Sequence, residues 1–124
     1  MEVKESIEKY RAQSIHYLEN AFSFIEAGDA EKASEFLWGS MAEALKAVAA
    51  SKEIWLRSHR DLRDYAMDLA KQLQDESIRN TFDRAQSLHS NFYESGLMLE
   101  DVVICAEDVE RAVGKLLSLI PGGG

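Results

Sequence analysis

Apolar residues recur along this chain at helical spacing, in successive blocks, and nowhere alternate as in a strand. In the first block, Ile7, Leu18, Ala21, Phe22 and Ile25 share one side of a long helix. Ile15 lies beside them, and Arg11 and Ser14 dilute the stripe in its first turns. Gly28-Asp29 closes this helix and opens the next: glycine suits the left-handed position past a helix end, and Asp29 can cap the following amides. So short a joint predicts an antiparallel hairpin. The second block, about Ala30 to Ala50, is apolar almost all round. Leu37, Met41, Ala44, Leu45 and Val48 form its stripe, with Trp38 on the edge. Gly39, Ala42, Ala49 and Ala50 form a small-residue side that another helix can approach closely. This predicts the central helix of a bundle, or a helix at a subunit interface. Glu35 and Lys46 fall on the small-residue side, where simple ion pairing is expected.

Between Gly39 and Gly96 the chain has neither glycine nor proline, so breaks follow from phase and polarity. Ser51 to Ser58 loses the stripe, and Ser58 can cap a third helix. Leu62, Ala66, Leu69 and Leu73 share its face. Continuing that face meets Glu76, Ser77 and Asn80, while a new stripe starts at Ile78, shifted by about 160°. A single helix would expose one of its two stripes, which predicts a turn near Gln74–Ser77. A fourth helix then runs to Ser95-Gly96, and Glu100 and Asp101 favour the start of a fifth through its dipole. Val102, Ala106, Val109, Val113, Leu116, Leu117 and Ile120 complete the pattern before Pro121 and three glycines. The expectation is an all-α, antiparallel up-and-down bundle of about five helices over residues 1–120, with a flexible tail at 121–124.

Composition narrows the class. The 124 residues suffice for an ordinary core, and 46% hydrophobic with 29% charged residues is globular usage. Cys105 is the single cysteine, so no intrachain disulfide can form. No apolar run approaches a membrane span, and the acidic N-terminus lacks the regions of a signal peptide, which predicts a cytoplasmic protein without membrane contact. The net charge of −8 opposes general coating of nucleic acid. Yet Lys52, Arg57, His59, Arg60 and Arg63 cluster, and Arg79 and Arg84 follow. That cluster is either a local basic rim or a solvated face of mixed charge.

The fourth helix carries the chemistry worth weighing. Ile78, Phe82, Ala85, His89 and Phe92 fall within about 80° of one another, so the imidazole is expected to face inward. Arg84 projects roughly 140° from His89. Such a histidine is either a hydrogen-bonded core residue or half of a site. Tyr93, one turn on, can share its surroundings or simply pack. Trp55, in the irregular segment beside the basic cluster, is expected to cover the core, with base stacking as the alternative. Cys105 reads as a small buried hydrophobe, and His16, three residues from Glu19, as solvated. No glycine-rich phosphate loop, Cys/His cluster or Glu-x-x-His pair occurs, so neither metal nor cofactor is implied.

Two segments resemble those of a known family. Gly28-Asp29-Ala-Glu-Lys-Ala33-Ser34-Glu35-Phe-Leu-Trp38-Gly39, followed by Ala44-Leu45-Lys46-Ala47, resembles the second-helix signature of archaeal PaREP-type proteins. Leu88-His89-Ser-Asn91-Phe92-Tyr93-Glu94, followed by the acidic start of helix five, resembles their second signature. The resemblance covers roughly Gln13 to Leu119, and such proteins are similar to the HEPN superfamily of helical bundles. Many HEPN proteins carry an arginine, four to six residues and then a histidine, facing a second copy across a homodimer and cleaving RNA without metal. Arg84-x4-His89 fits that spacing in the penultimate helix. The resemblance implies His89 as acid/base, Arg84 as the clamp on phosphoryl charge, and Tyr93 in the place of a nearby tyrosine. Ala85 stands where active members usually carry Asn, Asp or His, and Asn91 where some carry the tyrosine.

Three readings remain open on the sequence. The first is a homodimeric, metal-independent RNA endonuclease of toxin or defence type. The second is a non-catalytic HEPN-like module that binds a nucleotide, RNA or a protein partner such as a nucleotidyltransferase or antitoxin. The third is a plain structural dimer packed through helix two.

Overall fold

The computed structural model describes residues 2–90 and 98–122, and within them the chain is all-helical. Helices α1 (Val3–Glu26), α2 (Ala30–Ser51), α3 (His59–Leu73), α4 (Glu76–Ser90) and α5 (Leu99–Ser118) follow one another without a strand among the described residues. The breaks lie where local chemistry puts them. Gly28 adopts φ 77° and the Asp29 side chain accepts a hydrogen bond from the Lys32 amide. The Ser58 hydroxyl accepts from the Asp61 amide. Gln74 takes the left-handed conformation, φ 50°, that ends α3, and Asp75 accepts from the Ser77 amide and hydroxyl to begin α4. Lys115 of α5 donates to Asp75 and ties this turn to the last helix.

Helix α2 packs against each of the other four. Leu37, Met41, Leu45 and Val48 meet Ile78, Phe82, Leu69, Val102, Val109 and Leu116 in one buried core. The small-residue side of α2 is used within the chain: Ala42, Ala49 and Ala50 are all buried. Helix α2 is therefore the bundle's central helix. Ser14 does not merely dilute the stripe of α1. It is fully buried, its hydroxyl donates to the Ser40 carbonyl at 2.8 Å, and the Ser40 hydroxyl donates back to the Ser14 carbonyl at 2.8 Å. This reciprocal clasp satisfies two buried hydroxyls and draws α1 close to α2. Tyr17 lies over Gly39, where a Cβ would come within 2.9 Å of its ring.

Two inward expectations are corrected. On α4 the buried side chains are Ile78, Thr81, Phe82, Ala85 and Leu88, while His89 is exposed. The apolar sector passes through Leu88 at the last turn, because the helix periodicity fixes a sector and not where along it the neighbouring helix stops providing cover. Trp55 does not cover the core: it is 40% exposed beside Ile54, in the link between α2 and α3. Cys105 is buried as expected, and His16 is exposed, with Asn20 beside its ring at 3.3 Å. No helix among the described residues is long and apolar enough to cross a membrane.

Candidate functional site: a histidine-flanked tryptophan beside a basic groove

Trp38 sits at the edge of the α2 stripe, 8% exposed, and gathers rings from two other helices. Phe82 of α4 supports it edge-on from the core, with centroids 5.1 Å apart. His59, the first residue of α3, lies 5.3 Å from the indole at a 39° tilt. His89 of α4 lies nearly parallel to it, 12° between planes and 6.3 Å between centroids. The indole thus carries two imidazoles, both exposed to solvent. Imidazole is the side chain best suited to take or give a proton near neutral pH.

The position of His59 follows from local sequence: the Ser58 cap fixes the start of α3 and puts the ring over α2. The next turn of α3 supplies cations. His59, Arg60 and Arg63 line, with Gln86 of α4, an open groove of about 320 Å³. Arg60 reaches Asp64 only at 4.0 Å, between side chains 84% and 58% exposed, a solvated pair of little strength. Lys52, Arg57 and Arg63 are exposed and their charged side chains have no ion-pair partner among the described residues, although the Arg57 amide donates to Asp61 at 2.9 Å. The basic cluster is thus a rim beside the Trp38 rings and not only a face of mixed pairs. By contrast, Arg79 is paired with Asp83 at 3.8 Å.

Arg84 and His89 part company. The Arg84 guanidinium donates to Asp108 of α5 at 2.8 Å, and Asp108 is held in turn by Arg111. His89 faces α2, so one chain does not bring the two side chains onto one small group. Tyr93 lies outside the described residues, as do Asn91 and Phe92. His89 meets Trp38, while His59, on the same indole, lines the groove with Arg60, Arg63 and Gln86. The sequence marks His59 and the arginines as a basic cluster and Trp38 as a stripe edge. Their meeting depends on contacts across three helices, which no local signal carries.

On the other side of His59, α2 and the α2–α3 link enclose a second cavity of about 250 Å³. Trp38, Leu56 and Leu62 are among its walls, with Glu43, Lys46 and Arg57 as its charged members. Glu43 Oε1 is 3.8 Å from Lys46 Nζ, while Oε2 is buried and without a hydrogen-bond partner. Burial pushes the Glu43 carboxyl above its ordinary range, against the opposing pull of Lys46 and Lys9. Cys105, beneath the Arg84–Asp108 pair, has its thiol pushed up to about 12, chiefly by burial. Among the described residues, no three histidine, cysteine or carboxylate side chains come together as a metal site.

No curated protein matches the chain. The model of the archaeal PaREP1/PaREP8 family matches residues 9–113, a span that takes in α2, α3, α4, Trp38, both site histidines and most of α1 and α5, and the chain belongs to that family.

Proposed function

We propose that this protein is a HEPN-like module that binds single-stranded RNA along the α3–α4 groove, with His59 and His89 as the aromatic platform beside it. The observation that carries this reading is the pairing of exposed imidazoles on Trp38 with the cations Arg60 and Arg63. Single-stranded RNA is held by a basic strip that follows the backbone and by rings on which bases stack. His59 lines the groove with the two arginines, and His89 lies on the same indole as His59. Arg84, tied to Asp108 on another side of α4, is no part of this surface.

Fluorescence anisotropy with a labelled, unstructured RNA tests the reading. His59→Ala with His89→Ala is expected to weaken binding by about tenfold or more, at the roughly 1–3 kcal/mol per base that stacking supplies. Arg84→Ala is expected to leave it within about twofold. Absence of binding at low salt, or equal loss in the Arg84 variant, would sink the proposal.

A second reading, metal-independent cleavage, is favoured by the two imidazoles flanking one indole. One histidine would take the 2′-hydroxyl proton as that oxygen attacks the adjacent phosphorus. The other would protonate the departing 5′-oxygen, leaving a 2′,3′-cyclic phosphate and a 5′-hydroxyl. The arginines would stabilise phosphoryl charge. If the Arg84-x4-His89 motif acts instead, Arg84 must leave Asp108 or come from a second copy in a homodimer. Incubation of end-labelled RNA in EDTA separates these cases. Loss of cleavage in His59→Ala assigns the histidine pair. Loss in Arg84→Ala, with a gain in Asp108→Asn, assigns the sequence motif. No cleavage by a protein that binds RNA leaves the binding module.

A further inference from the structure

The cavity on the far side of His59 has a chemistry that the groove does not need. It shares His59 with the groove, and Trp38, the indole beneath both histidines, is one of its walls. A base leaving a strand in the groove therefore has an adjoining chamber to enter. Its volume of about 250 Å³ lies below the ~300–1,000 Å³ of pockets for drug-sized ligands, a size for one base with its sugar. Trp38, Leu56 and Leu62 supply apolar walls for the faces of a ring.

The polar end discriminates among bases. Glu43 and Lys46, one helical turn apart on α2, set a carboxylate beside an ammonium, with Oε1 and Nζ 3.8 Å apart. Oε2 of Glu43 has no hydrogen-bond partner, and the last torsion of a glutamate side chain is soft, so rotation can present that oxygen to a ligand. A carboxylate only accepts when ionised, and an ammonium only donates. Guanine presents an acceptor, O6, next to two donors, N1–H and the 2-amino group, the complement of Lys46 followed by Glu43. Adenine and cytosine offer the carboxylate one amino group beside a ring acceptor, and uracil one donor between two carbonyls, so each satisfies one carboxylate oxygen where guanine's N1–H and 2-amino group satisfy both. We infer that the cavity between α2 and the α2–α3 link receives a single unstacked guanine from RNA held in the groove, read by Glu43 and Lys46. This rests on the RNA-binding reading.

The test compares short labelled oligoadenylates carrying one central guanosine, cytidine, uridine or inosine, measured by anisotropy on the intact protein. The guanosine strand is expected to bind about tenfold more tightly than the adenosine, cytidine or uridine strands, the worth of hydrogen bonds to a charged group. Inosine, which keeps O6 and N1–H but lacks the 2-amino group, is expected to fall between. Glu43→Gln, nearly isosteric, should level the series to within about twofold while retaining groove binding, because it replaces one acceptor by a donor. Ala42→Met, which fills the cavity, should do the same, and Glu43→Gln carries the test if that variant does not fold. Equal affinity of wild type for all strands, or a guanosine preference surviving in Glu43→Gln, overturns the inference. Salt-dependent binding without base preference overturns it alone, whereas no binding of any strand overturns the RNA reading as well.

Discussion

The salt dependence of RNA binding gives the sharpest test of the groove, because its size follows from which cations are free. Arg60 and Arg63 line the groove and Arg57 lines the adjoining cavity, with His59 common to both, and the weak Arg60–Asp64 contact costs little to release. Three phosphate contacts to a single strand give a slope of log affinity against log salt of about −2, at roughly 0.7 per contact. Raising salt from about 50 to about 200 mM should then weaken wild-type binding about twentyfold. The acidic body works in the opposite sense. A net charge of −8 repels the strand, and salt screens that repulsion, so the measured slope will be shallower than the contact count alone implies.

Comparison between variants removes most of that background. Arg60→Ala with Arg63→Ala should flatten the slope by about 1.4, leaving a loss of only two- to threefold over the same range. Arg111→Ala, which removes a cation held by Asp108 on α5, serves as the control and should leave the slope near wild type. Anisotropy titrations at four or more potassium chloride concentrations suffice. An unchanged slope in the groove double variant, or an equal change in Arg111→Ala, would refute the assignment of these arginines to phosphate.

Three further outcomes test the fold around the site. Gly39→Ala forces a Cβ to within 2.9 Å of the Tyr17 ring, and should destabilise by about 1–3 kcal/mol despite alanine's better helix propensity, with Tyr17→Ala in the same chain relieving the clash; calorimetry of the two variants reads this, and an unchanged single variant would show that the ring yields freely. Asp75 is held at about 2, first by its hydrogen bond to Lys115, so its contribution is present above the ordinary carboxylate range and is lost as pH falls from about 4 to about 2. The melting temperature of Asp75→Asn should therefore lie below wild type near neutrality and converge with it at pH 2, and a gap independent of pH would contradict the charge pairing. With its thiol at about 12 and no exposed surface, Cys105 has roughly one thiolate in ten thousand at pH 8 and should resist an aromatic disulfide reagent until the protein unfolds; modification faster than unfolding would count against that burial.

Much of the fold was legible because its signals are local. Gly28-Asp29, Ser58 and the phase break before Ile78 each act within a turn or two of chain, and each falls at an observed boundary. What the sequence concealed is non-local. Ser14 reads as a flaw in an apolar stripe until Ser40, 26 residues away, completes its hydrogen bond. His89 lies inside the apolar sector of α4 by angle, yet the sector is covered at that level only on the Leu88 side. Arg84 and His89 match a spacing, but Asp108 and Trp38 draw them to different neighbours. His59 is marked by composition as one of several basic residues, and its site partner lies on α2. Periodicity ranks faces and cannot say which helix, or how much of it, stands opposite.

On the RNA-binding reading, the groove cations lie within a short strip of α3 and its preceding link, while the charge balance elsewhere is negative. A duplex presents about one phosphate charge per 1.7 Å of its axis and would set many of them against the acidic faces. A single strand can confine its contacts to the strip and offer its bases to His59 and His89. Attraction therefore comes from position and not from total charge. The Ser14–Ser40 clasp, the closely packed α1–α2 pair and the edge-on support of Phe82 matter to function for that reason: they fix Trp38, and Trp38 fixes where both histidines stand relative to Arg60 and Arg63.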